Sequence, residues 1–359
     1  MNSLVKNARL YGLGGWNRIR NKGNERSKEE AVIQMAALGD ACLLISVCRE
    51  VCGFGRNFDV ICRPGFAALW RYFLPDWTVS EVSSDEWSPT RIRRSLIQLT
   101  DPVYGTVYVT SIVPFAAYIS SFLKAEKRIG MVEKRPFKGA RWILDDLRRV
   151  DPNEHVISRY RRLFGIPVDI PDDFRSIKQE TNRTKNIKNV LIHPGGKWEL
   201  RRWPADRFKA VGIELRKQGY EISYLIHESE NDLLQYFRTT EDDGAGSLEV
   251  TRNIPDLLNA MERADFLIGN DSGPIHLAGL MDKPAVCIWG PGNYERIHPV
   301  GRFVKTIIHP IPCRPCRQYR SMNCPGDERT CLDSISVEEV LEAVFSATLS
   351  RTPNALGTE

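Results

Sequence analysis

Apolar residues in this chain fall into short unbroken runs, separated by longer segments in which apolar positions recur at helical spacing. In the first half, 31–36 (AVIQMA), 58–62 and 106–110 are β-prone runs, and 40–51, 65–73 and 115–124 have helix length. The second half repeats the scheme more clearly. There 189–193, 221–226, 264–268 and 284–289 predict strands, and 205–218, 230–237, 254–263, 274–281 and 336–347 predict helices. Strands apolar on both faces, alternating with helices, predict an α/β protein with parallel sheets covered on both sides. The polar stretch 169–188, Pro-bearing and poor in apolar residues, reads as a linker between a unit at 30–168 and another at 189–348. A basic arm (1–29) precedes the first unit, and a disordered tail (349–359) follows the second.

Two loops carry the candidate chemistry. The run ADFLIGNDSGPIHLAGL (264–280) encloses a short polar loop between a buried strand and a helix. The first-turn amides of such a helix have no internal partner, and its dipole favours an anion over Asp271, Ser272 and Gly273, with His276 in the same turn. The plainer alternative is that Asp-Ser-Gly only caps the helix. After strand 189–193 comes Pro194-Gly195-Gly196-Lys197, a flexible loop holding a cation, and then Arg201-Arg202-Trp203-Pro204, where Pro204 can open a helix at its first position. Glycine-bearing loops with basic residues at the carboxyl ends of strands are where open α/β sheets bind nucleotides. A diphosphate fits both loops. In LIHESE (225–230) one carboxylate suits the ribose hydroxyls, Glu230 ahead of Glu228, while Ile254 and Leu257 sit at core spacing.

Composition restricts the classes open to this chain. At 359 residues, with 42% hydrophobic and 26% charged residues, it can build two cores. Residues 102–123 carry no charge but contain Pro, Gly, Ser, Thr and Tyr, which argues for a buried strand and helix rather than a membrane span. Residues 1–30 lack an apolar core and hold seven Lys/Arg against three Glu, so they do not read as a signal peptide, and a cytoplasmic location is expected. The net charge of +5 is uneven: 124–162 holds twelve Lys/Arg against six Asp/Glu. The ordinary reading of that run is a solvated face; as a functional face it could meet anionic lipid in a peripheral membrane contact, an acidic acceptor or nucleic acid. No nucleic-acid motif accompanies it. Trp70, Trp77, Trp87 and Trp142 could stack on sugars, although core packing is the simpler use of them.

HPGGKWELRRWP and NDSGPIHLAGLMDKPAVCIWGP, with Leu38-Gly39-Asp40 after the first strand, resemble the heptosyltransferase-like glycosyltransferase family 9 over about 31–340. The resemblance implies the GT-B architecture, two Rossmann-like domains facing across a cleft, with a nucleotide-diphosphate sugar, ADP-heptose foremost, on the C-terminal one. It implies heptose transfer onto lipopolysaccharide core or another glycan, with inversion and without a catalytic metal. The alternatives are another nucleotide sugar with a protein or small-molecule acceptor, or a noncatalytic sugar-nucleotide-binding scaffold. Asp40 matches the aspartate that deprotonates the acceptor, which is sound chemistry for a hydroxyl attacking an anomeric carbon. Its competing reading is a cap for helix 41–51. Arg201 stands where the family has a lysine, replacing a point charge by a bidentate fork. Ser272, Gly273 and His276 match phosphate-contacting positions, with Gly195, Gly196 and Lys197 beside them and Asp271 orienting the loop or meeting sugar hydroxyls.

Nine cysteines without a secretion signal argue against a disulfide framework. Cys42, Cys48, Cys62 and Cys287 lie in apolar elements and read as buried thiols. Cys313, Cys316, Cys324 and Cys331 instead follow C-x2-C-x7-C-x6-C in a polar loop, a ligand set suited to a structural zinc or iron. Some relatives in the resembled family are iron-binding, oligomeric protein heptosyltransferases.

Overall fold

The computed structural model describes residues 30–83, 88–100, 102–111, 114–133, 135–168, 187–238, 244–316, 324 and 330–349. Arm 1–29, most of the linker (169–186) and tail residues 350–359 lie outside them. The chain divides into two units, 1–170 and 171–359.

In the first unit the apolar runs become six parallel strands: β1 (Glu30–Gln34), β2 (Phe58–Cys62), β3 (Val79–Glu81), β4 (Val103–Val109), β5 (Lys124–Val132) and β6 (Asp146–Arg149). They lie in the order β3-β2-β1-β4-β5-β6. Because β1 pairs with both β2 and β4, the winding reverses beside it. On one face Ala31, Ile33, Ile61, Val107 and Val109 pack with helix Pro114–Ser120. The uncharged stretch 102–123 is therefore β4 and this buried helix, and no helix among the described residues is long and apolar enough to cross a membrane.

The second unit repeats the plan with β7 (Asn189–His193), β8 (Glu221–His227), β9 (Ser247–Thr251), β10 (Phe266–Asn270), β11 (Ala285–Ile288) and β12 (Val304–Ile307). Its order, β12-β11-β10-β7-β8-β9, is that of the first unit read from the other edge, with the reversal between β7 and β10. Val190, Ile192, Phe266, Ile268, Val286 and Ile288 pack against helices on one face, Phe208 and Val344 among the partners.

Three expectations need correction. The charged run 124–162 is not simply a solvated face: it supplies β5, β6 and helix Val156–Phe164, and Arg128, Arg159 and Arg161 are buried. Arg128 is 1% exposed and donates to the carbonyls of Ser120 (3.1 Å) and Leu123 (2.6 Å), just past a helix C-terminus, where carbonyl dipoles favour a cation. The helix expected over 115–124 stops at Ser120, and Lys124 already belongs to a strand. Finally, the tryptophans divide. Trp70 and Trp77 are stacked in the core, whereas Trp142 is 64% exposed; Trp87 lies outside the described residues.

Candidate functional site

The reversal between β7 and β10 brings both expected loops to the carboxyl end of the second sheet. Gly195 and Gly196 follow β7 and are buried, whereas Lys197 is exposed. Asp271 and Ser272 follow β10, and the helix they introduce runs Gly273–Leu280 with Pro274 in its first turn. Ser272 occupies the cap position in extended conformation but makes no side-chain cap bond, and its Oγ is buried without a hydrogen-bond partner. The plain capping reading therefore fails at this helix. A buried hydroxyl beside unpaired helix amides is an arrangement suited to an external acceptor such as phosphate. His276 is buried in the same turn.

Arg201 ends a short turn (Glu199–Arg201), with its guanidinium 4.6 Å from the Trp198 ring centroid. Its Nη1 lies 3.0 Å from Asp271 Oδ2, within ion-pair distance but without hydrogen-bond geometry, so that oxygen and Arg201 Nε both remain unmatched. Burial pushes the Asp271 carboxyl up to about 6, with the Arg201 charge pulling the other way. Packing fixes its position as well. A Cβ on Gly292 would sit 2.6 Å from Asp271 Oδ2, so only glycine lets that loop close over the carboxylate.

Three residues that hold this site together were not assigned that role from the sequence. Asn270 is fully buried; its Oδ1 accepts from the Trp203 amide (2.8 Å), while its Nδ2 donates to the carbonyls of Pro194 (2.8 Å) and Gly195 (3.1 Å). One amide thus joins both loops. Arg202 reaches the Gly196 carbonyl (2.9 Å) and Asp232 (2.8 Å). Trp198 supplies the ring face beneath Arg201. The available signals were an asparagine closing an apolar strand and a tryptophan five residues before the W-P pair. Pro204 is the cap of helix Ala205–Lys217 rather than its first residue.

Glu230 sits under the glycine loop. Its carboxylate accepts from the amides of Gly196 (2.9 Å) and His227 (3.0 Å) and lies 3.3 Å from Arg202 Nη2; a Cβ on Gly195 would meet it at 2.5 Å. Its oxygens therefore already brace the loop. Glu228 is exposed and 3.7 Å from Arg252, and Leu257 is core.

Asp40 belongs to the first unit. Helix Leu38–Cys52 begins three residues earlier than expected and is capped by Ala37, so Asp40 is a part-buried first-turn residue and not the cap. This carboxylate adjoins the positive end of a helix dipole. At the end of β1, Gln34 is fully buried with neither amide atom hydrogen-bonded, an orphan beside the point where the strand order reverses.

The cysteine expectation is not met by this geometry. Among the described residues no three His, Cys, Asp or Glu side chains are arranged to hold a metal ion. Cys313 is exposed, Cys316 and Cys324 are half-buried and Cys331 is buried, all four as free thiols. Arg314, between two of these cysteines in sequence, donates to the carbonyls of Gly290 (2.9 Å) and His309. Cys42, Cys48, Cys62 and Cys287 are buried free thiols, as read from the sequence.

Residues 94–325 match the model of glycosyltransferase family 9 (heptosyltransferase). The chain is 23% identical over 204 residues to lipooligosaccharide heptosyltransferase 2 of Campylobacter jejuni, a match covering 53% of this chain and 64% of that protein, so it spans less than two thirds of that relative. It is also 23% identical over 305 residues to the lipopolysaccharide core heptosyltransferase OpsX of Haemophilus influenzae, covering 79% of this chain and 85% of the relative. Among solved structures, the ADP-heptose lipopolysaccharide heptosyltransferase II of E. coli superposes with a TM-score of 0.67 at 17% identity, over 89% of this chain and 99% of that one. That likeness concerns the fold, which is GT-B, with two Rossmann-like units.

Proposed function

The chain belongs to glycosyltransferase family 9 (heptosyltransferase), and on that footing we propose that it moves heptose from ADP-heptose to a hydroxyl of a lipopolysaccharide-core or related glycan acceptor, inverting the anomeric centre without a catalytic metal. The observation that carries the reading is the unsatisfied polar set at the second sheet's reversal: Ser272 Oγ, Arg201 Nε and the open amides of helix Gly273–Leu280. Each of these donors suits an anion, with the Asp271 carboxylate beside them, and they come from two loops braced by Asn270 and Glu230.

In this mechanism Asp40 takes the proton of the acceptor hydroxyl as its oxygen bonds to the anomeric carbon. The bond from that carbon to the donor phosphate breaks, and ADP leaves with the electron pair. Arg201, Ser272, Gly273 and His276 hold the charge that builds on the diphosphate, with Lys197 at the loop's rim. Glu230 keeps Gly195 and Gly196 in place for the donor. Asp271 sets the Arg201 guanidinium and faces the sugar hydroxyls. The enzyme works in the cytoplasm in this reading, in keeping with its free thiols.

Calorimetric titration with ADP, UDP and GDP tests the donor assignment. Preferential ADP binding, about tenfold weaker in Arg201→Ala, is the expected result. Preference for UDP or GDP would discard the donor and keep the fold, and no binding by any of the three would leave a scaffold.

A further inference from the structure

At the carboxyl ends of β11 and β12, across β10 from the glycine loop, the second unit holds a cavity of about 480 Å³. A volume of this size is that of a small-molecule site. Two segments wall it: Asn293 with the short helix after it (Tyr294–Ile297), and residues from 308–315 beyond β12. Both are held from behind. The Tyr294 ring stands edge-on to Trp289 (centroids 5.3 Å apart) and stacks on His298 (4.8 Å). In the other segment His309 bridges Ser334 (2.8 Å) and Glu339 (2.8 Å).

The lining combines an apolar surface with two opposite charges, and neither charge is answered within the described residues. Tyr294, Ile308, Ile311 and neighbouring prolines supply the apolar part. Arg314 supplies a cation. Its Nε donates to the Gly290 carbonyl (2.9 Å) and its Nη1 to that of His309, whereas Nη2 is buried with no hydrogen-bond partner. Both carbonyls are neutral, so the guanidinium is oriented without being neutralised. Glu295 supplies an anion; it is exposed and makes neither an ion pair nor a hydrogen bond among the described residues.

Two unpaired charges of opposite sign on one cavity suit a ligand that carries both. A desolvated guanidinium nitrogen favours a carboxylate, because a charge-assisted bond replaces the water it has lost. The Glu295 carboxylate favours an ammonium, and the apolar lining favours burial of a hydrocarbon or aromatic side chain. A bare phosphate would meet repulsion from Glu295 and leave the apolar wall uncovered. A neutral hydrophobe would leave Arg314 unanswered.

We infer that this cavity binds a free α-amino acid with an apolar side chain, its carboxylate on Arg314, its ammonium on Glu295 and its side chain against Tyr294, Ile308 and Ile311. The inference goes beyond the transfer reading and does not depend on it.

The test is calorimetric titration of the full chain, without nucleotide, with L-leucine and L-phenylalanine. Each is compared with its analogue lacking the ammonium (isocaproate, phenylpropanoate) and its analogue lacking the carboxylate (isoamylamine, phenylethylamine). At least one amino acid should bind, about tenfold or more tighter than either of its analogues. Glu295→Lys should weaken that amino acid severalfold and tighten the matching carboxylate. The Glu295 side chain is exposed, so the thermal midpoint of this variant should not move. Arg314→Met should abolish binding of the amino acid and of the carboxylate alike. Because Arg314 also ties two loop carbonyls, the Glu295 variant decides the matter if Arg314→Met folds poorly. Absence of saturation by both amino acids up to about 10 mM would overturn the inference. So would a carboxylate analogue binding as tightly as its amino acid, which would make this a site for anions alone, or an amino-acid affinity unchanged in Glu295→Lys.

Discussion

The two sheets share one winding, β3-β2-β1-β4-β5-β6 in the first unit and β9-β8-β7-β10-β11-β12 in the second, yet the chemistry at their reversal points differs. In the second unit the site is a dense network. Asn270 joins two loops, Glu230 and Arg202 brace the glycines, and Asp271 lies against Arg201. In the first unit the corresponding strand end carries Gln34, buried with its amide unmatched, and Asp40 stands in the following helical turn. Topology chooses where a ligand can sit. Local side chains decide whether that place is preorganised, and among the described residues the second unit shows such a network.

The largest effect should come from the first unit. Asp40→Asn keeps the size of the side chain and removes the base, so turnover with ADP-heptose should fall about 10²–10⁴-fold while ADP affinity changes less than about twofold. Retention of full turnover would remove Asp40 from the mechanism and leave the first unit without an assigned chemical group.

A smaller effect is expected at the brace of the second unit. Asn270→Ala leaves the Trp203 amide and two loop carbonyls without their partner, costing about 2–4 kcal/mol in denaturant unfolding and loosening ADP binding. Unchanged stability and affinity would show that the loops hold themselves and that the contrast between the units is weaker than drawn here.

The smallest effect belongs to Gln34. Replacing an unmatched buried amide by methionine, of similar length, should raise stability by about 1 kcal/mol. A loss of stability of that size would mean that the amide is satisfied, by water for instance, and that the first unit is more preorganised than its hydrogen bonds indicate.

The two glycine-bearing loops of the second sheet were legible in the sequence because their signals are local. A strand, a glycine and a helix start follow one another at 189–205 and at 266–273, and the structure puts those elements there. The weaker readings concerned pieces whose environment comes from distant chain. β3, β5, β6, β9 and β12 had no strand signal strong enough to stand apart from charged or polar surroundings. Arg128 looked like surface until a helix end 8 residues away supplied its carbonyls. Cysteine spacing suggested a metal cage, but spacing alone does not bring thiols to tetrahedral distance, and among the described residues no three such groups come together.

By itself the sequence determined the α/β class, the two glycine-bearing loops after β7 and β10 and the resemblance carried by Leu38-Gly39-Asp40 and the Asp-Ser-Gly run, since hydrophobic period and short motifs are properties of contiguous residues. Tertiary structure alone decided that Asn270 joins those loops, that Glu230 turns inward to brace Gly195 and Gly196, that Asp271 is buried against Arg201, and that Trp142 is left outside the core. Each of these depends on which distant backbone arrives beside a side chain, because burial and hydrogen-bond partnership arise only when segments far apart in the chain are packed together.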